Sequence, residues 1–195
     1  ADFSVDVTNN ITLPEISTET KPVVEDSASN KVVVTFDEPV TSSTDAGIDV
    51  KIDGTSTTVS AIDTVSENTT DTAVEITLAE QVTPEDTNIT LDYDATKGDI
   101  EDQYGTAMKS VTGVSVTNNV DSPQFESAVV EDTTTTQVAV TFDETLTTGA
   151  ITTKSAFTVT ADDENITVSD AEVVTEGAVV TVSLDKAIAQ NQTVT

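Results

Sequence analysis

Strict alternation of apolar and polar residues, returning 106 residues further along, most limits what this chain can fold into. Val32, Val34 and Phe36 share one face of a strand, with Val33, Thr35 and Asp37 on the other, and Val138, Val140 and Phe142 repeat the pattern. A second strand carries Val74, Ile76 and Leu78, matched at the same offset by Val180, Val182 and Leu184. Period two with one apolar face is the signature of an antiparallel sheet covered on one side. Further runs at Ile48 to Ile52, Thr57 to Val65, Asn88 to Tyr93, Val111 to Thr117 and Phe157 to Thr160 are set off by turn signals such as Asp53-Gly54. About seven strands per hundred residues, with no helical stretch, predict an all-β chain of tandem immunoglobulin-like sandwiches.

The self-match also sets expected boundaries. Val23-Val24-Glu25-Asp26 returns as Val129-Val130-Glu131-Asp132, and Val5 to Ile11 resembles Val114 to Val120. The pattern predicts residues 1–11 as the closing strand of a preceding repeat, 20–119 as a complete repeat and 123–195 as an incomplete one. Pro14, Pro22 and Pro123 fall at the joints, where they restrict their own backbone and that of the residue before.

Composition narrows the function. The chain has 36 acidic residues against seven basic ones, all lysine, for a net charge of −29. Such a surface repels nucleic acid and anionic lipid, so neither is an expected partner. Aromatic content is 4% with no Trp, which argues against base-stacking or sugar-stacking platforms. With no His and no Cys, the common nucleophilic triads and zinc sites cannot be assembled, and an enzyme is not expected. Self-repulsion at this density is relieved by high ionic strength or by divalent cations.

Certain motifs carry a resemblance. Val34-Thr35-Phe36-Asp37-Glu38, repeated as Val140-Thr141-Phe142-Asp143-Glu144, is similar to the second strand of bacterial Ig-like repeats in large surface-layer proteins. Residues 182–195, the Val-Thr-Asn-Asn ending at Asn119, Tyr93-Asp94 and Ile100 to Gly105 resemble the repeat named after the cyanobacterial swimming-motility surface protein. That resemblance implies an extracellular, cell-surface role without catalysis: a stalk, adhesin extender, filament or surface-layer spacer, with neighbouring repeats or identical subunits as partners. Two alternatives stay open beside it. One is a filament subunit that donates residues 3–9 as a strand to the next copy; the other is an adhesin module that binds a ligand through its acidic loops.

Calcium is the one cofactor the sequence suggests, since Ca²⁺ takes six to eight oxygen ligands from carboxylates, amides and carbonyls. One candidate cluster is Asp92, Asp94, Asp99, Glu101 and Asp102, flanked by Gly98 and Gly105. The other is the joint Asn118, Asn119 and Asp121, similar to the calcium-stiffened linker of cadherins, with Glu25, Asp26, Glu131, Asp132 and the pairs Asp37-Glu38 and Asp143-Glu144 in reach if they sit at a domain end. The opposing reading is that these are solvated loop acids and turn formers.

Overall fold

The computed structural model describes residues 4–6, 8–65, 73–146, 148–173 and 177–195. The chain is mostly β and divides into two compact units, Ala1–Asp121 and Ser122–Thr195. Among the described residues no helix is long and apolar enough to cross a membrane.

Among the described residues the first unit holds ten strands: β1 (Val23–Glu25), β2 (Lys31–Thr35), β3 (Val40–Thr41), β4 (Ile48–Ile52), β5 (Thr55–Thr57), β6 (Val59–Val65), β7 (Ala73–Leu78), β8 (Ile89–Tyr93), β9 (Glu101–Asp102) and β10 (Val111–Asn119). Alternation does what it predicts locally. In β2 and β7 every second residue is buried, and Val32 lies opposite Ile76, with Val34 opposite Val74. Those side chains join Val50, Leu78, Ile89, Leu91, Tyr93 and Val116 in one core. Full burial of each Val, Ile or Leu contributes roughly 1.5–3 kcal/mol.

The expected Ig-like sandwich fails in how the sheets are joined. Eight strands form one hydrogen-bonded sheet in the order β5-β4-β8-β10-β1-β2-β7-β6, and β3 pairs separately with β9. Two four-stranded halves are linked by β1, which runs parallel to β10 (Val23 beside Thr117, Glu25 beside Asn119) and antiparallel to β2. The two edge strands, β5 and β6, are separated in sequence only by Thr58, and β6 packs against β4. The sheet is thus a nearly closed barrel around its core, not two open sheets face to face.

The second unit is built differently. Its strands are β11 (Phe125–Val129), β12 (Gln137–Leu146), β13 (Gly149–Ala150), β14 (Val159–Ala161), β15 (Glu164–Ile166), β16 (Val168–Val173) and β17 (Gly177–Leu184). Five form a sheet in the order β11-β12-β17-β16-β13, and β14 pairs with β15 alone. The 106-residue match survives as one strand pair: Val138 faces Val182 and Val140 faces Val180, as Val32 faces Ile76 and Val34 faces Val74. It does not extend to two like sandwiches. The expected chain of repeated Ig-like units, and with it the stalk, spacer, filament and adhesin roles, is corrected to a β-protein whose largest sheet is a near-barrel. Of the expected donor segment 3–9, Phe3 and Val7 lie outside the described residues, and the others form no strand.

Candidate functional site

Four of the acidic residues singled out for calcium, Asp92, Asp94, Asp99 and Asp102, have local work. Asp92, on β8, is ion-paired to Lys51 and accepts the Gly113 N–H at 2.6 Å; the Lys51 bond, then the Gly113 N–H, holds its carboxyl below the usual range. Asp94 accepts from the Thr96 hydroxyl (2.6 Å) and N–H (3.0 Å) and pairs with Lys97, which brings its pKa down to about 2. Asp99 reaches across to Ser42 and Ser43, whose hydroxyls and N–H lower its pKa, Ser43 foremost. Asp102 is 4% exposed and accepts N–H bonds from Thr106 (2.7 Å) and Tyr104 (2.8 Å), so that it also stays ionised below the usual range. Glu101 is exposed on β9.

At the joint, the Asn118 side chain donates to the carbonyls of Thr83 and Asp86 (2.9 and 3.0 Å) and accepts the Val120 N–H. Asn119 donates to Glu25, and the Asp121 N–H donates to Asp26 (3.1 Å). Among the described residues no three acidic side chains group closely enough to hold a metal ion. The expected ligands lie on β8, β9 and β10 and in the turns beside them, and the oxygens of Asp92, Asp94, Asp99 and Asp102 answer backbone N–H groups, hydroxyls and lysines. That donor set does not fit a calcium cage, which needs six to eight convergent oxygens.

The same use of carboxylates recurs beyond these clusters. Asp37 and Glu15 lock their segments reciprocally: the Glu15 N–H donates to the Asp37 carboxylate at 2.9 Å, and the Asp37 N–H donates to the Glu15 carbonyl at 3.0 Å. Asp143 and Gln124 repeat this lock in the second unit. Asp53 and Asp162, at φ of 49° and 50°, do likewise with Asn88 and Thr193. Aspartate tolerates this left-handed conformation better than most residues. Next to these locks, Gly47 (φ 83°) has no room for a side chain, since a Cβ would lie 2.6 Å from the Asp94 carbonyl.

Once the acids are accounted for, the lysines become informative. Lys31, Lys51, Lys97, Lys154 and Lys186 each pair with a carboxylate. Among the described residues, Lys21 and Lys109 do not, although the chain carries 36 acids. Both line the same groove in the first unit, about 590 Å³ in volume, between residues 13–22 and 108–115. That volume lies within the roughly 300–1,000 Å³ typical of ligand sites. Its apolar surface comes from Leu13, Ile16, Met108, Val111 and Val114, and Glu15 is its one acid among the described residues.

The groove walls are held firmly. Pro14 and Pro22 are fully buried, and the Pro22 carbonyl accepts the Thr117 N–H at 2.8 Å. Ile16 bridges Phe36, while the Ser17 N–H donates to Thr35. A larger cavity of about 800 Å³ lies in the second unit, lined by Val138, Val140, Phe157, Val182 and two acids, Glu131 and Asp132, but by no lysine. Comparison of the chain with protein-family models, curated proteins and solved structures finds no match. The likeness to surface-protein repeats therefore rests on its quoted motifs alone.

Proposed function

We propose that this chain is a non-catalytic binding protein that holds an apolar ligand bearing an anionic group in the groove between residues 13–22 and 108–115. The observation that carries the reading is the placement on one apolar groove of the two lysines that have no carboxylate partner among the described residues. In a chain where acids outnumber lysines 36 to seven, two lysines to one glutamate reverses the local charge. The chemistry of the chain supports binding over catalysis: it has no His or Cys, and its lowered carboxylates are fixed as acceptors of N–H bonds. The sign is opposite to an acidic-loop site for cations, because the acids are used within the fold.

The test is a fluorescence titration with 8-anilinonaphthalene-1-sulfonate, an apolar anion whose emission rises when it leaves water. Saturable binding is expected, weakened about fivefold by the pair Lys21→Gln and Lys109→Gln, as befits two exposed charge contacts of roughly 0.2–1 kcal/mol each. Lys154→Gln with Lys186→Gln, in the second unit, should leave it unchanged. Equal binding by all three proteins would sink the proposal.

A further inference from the structure

The geometry points to an extended apolar peptide with one carboxylate as the ligand of this groove, bound as an added β-strand along β10. This inference rests on the groove reading above and names its ligand class.

The argument starts from backbone pairing. β10 pairs with β8 through Val111 to Val116, but on its other side β1 covers only Thr117 to Asn119. Among the described residues no strand pairs with Val111–Val116 on that second side. The Thr117 N–H points to that side, because it donates to Pro22. Strand backbone alternates, so Ser115, two residues earlier, presents its N–H and C=O in the same direction. Ser115 lines the groove.

The opposite wall gives the same result. Glu15 spends its N–H and C=O on Asp37, and Ser17 spends its N–H on the Thr35 carbonyl. Ile16, between them, must then turn its N–H and C=O away from β2, toward the groove it lines. An apolar slot with unpaired main-chain groups on both walls suits a chain with its own N–H and C=O groups. A compact amphipathic anion would use the lysines and leave those backbone groups unanswered. Strand addition gives affinity through main-chain bonds and specificity through alternate side chains, here met by Met108, Val111 and Val114.

Charge sets the remaining property. A net charge of −29 repels a multiply acidic peptide as a whole, while Lys21 and Lys109 attract one carboxylate locally. A second copy of the chain, equally acidic, is a poor occupant for the same reason. One carboxylate can come from a chain terminus or from a single Glu side chain.

The experiment uses the full chain and fluorescein-labelled peptides read by anisotropy: Val-Thr-Val-Thr-Val with a free C-terminus, its amide, an amide with one central Glu, and the free acid N-methylated at alternate residues. The free acid is expected to bind about fivefold more tightly than its amide, and that difference to vanish in the Lys21→Gln, Lys109→Gln protein. Alternate N-methylation should weaken binding about tenfold, and hydrogen exchange at Ser115 should slow when the parent peptide binds. The Glu peptide separates a side-chain carboxylate from a terminal one. Equal binding of N-methylated and parent peptides would exclude strand addition. An acid-amide difference that persists without the lysines would exclude them as the partner. Lysines also serve elsewhere to keep sheet edges from pairing. If the double variant binds peptide more tightly or self-associates, the lysines guard this edge and the inference falls. Lysine-dependent sulfonate binding with no peptide binding would leave the groove reading intact and remove the strand.

Discussion

Asp102 shows how this chain uses charge at the level of single residues. A carboxylate 4% exposed is held by two backbone N–H bonds, and its pKa is lowered by them. The same direction holds for Asp92, Asp94, Asp99 and Asp170. For a group whose folded pKa is depressed, the stabilisation is present above the unfolded value and disappears as pH falls through the folded one. The window here runs from about 4, the ordinary aspartate range, down to about 2, where Asp94 titrates. Glu38 runs the other way: burial first, then Asp102 and Asp37, raise its pKa, so its ionisation opposes folding as pH rises. A thermal melt series is expected to show Tm falling steeply between pH 4 and pH 2. Asp102→Ala should lower Tm at pH 7 by about 5 °C, and Asp102→Asn, which keeps one acceptor oxygen, by less. A Tm that is flat from pH 4 to 2 would remove the aspartate locks from the account. The sequence exposed these acids as a cluster but not their use, because Asp in a loop is equally suited to bind a metal ion or to cap its own backbone. Only the direction of the Tyr104 and Thr106 N–H groups decides between them.

Among the elements, β1 has the largest effect for its length. All three of its residues pair with β10, Val23 and Val24 also pair with β2, and Val24 is fully buried. Val24→Ala is expected to cost about 2 kcal/mol in urea unfolding and to speed hydrogen exchange at Thr117 and Asn119 more than at Ile76. Uniform loss of protection would mean that β1 is not a distinct seam. This element also marks where reading the sequence stops. Ile48–Ile52 forms the strand its pattern predicts, and Val32 and Val34 face inward as their alternation requires. Alternation reports which face is apolar, yet it carries no information about which edges meet. Nothing in Val23 to Glu25 signals a parallel neighbour at Thr117 to Asn119, so two separate sheets were the natural expectation. The groove was hidden for a related reason. Lys21 and Lys109 are ordinary lysines until the partners of the other five are known.

Across the whole molecule, net charge sets the solution behaviour. At −29 the two units repel their own surfaces, and added salt should screen this, since the Debye length falls from about 10 Å at 0.1 M to 3 Å at 1 M. Tm is expected to rise with NaCl, and calcium chloride at matched ionic strength to raise it by no more. A calcium-specific rise reversed by EGTA would overturn this expectation and reveal a specific calcium site. The seam at β1 has a further consequence, in the order of events during synthesis. Contact between residues 23–25 and 117–119 closes a loop of most of the first unit, which makes it a slow, high-contact-order step. While the chain is on the ribosome, the hairpin-like half around β2 and β7 can assemble, but β1 keeps an open edge until β10 emerges. A pause in translation before Val111 would therefore prolong the interval in which this nascent chain is open to mispairing.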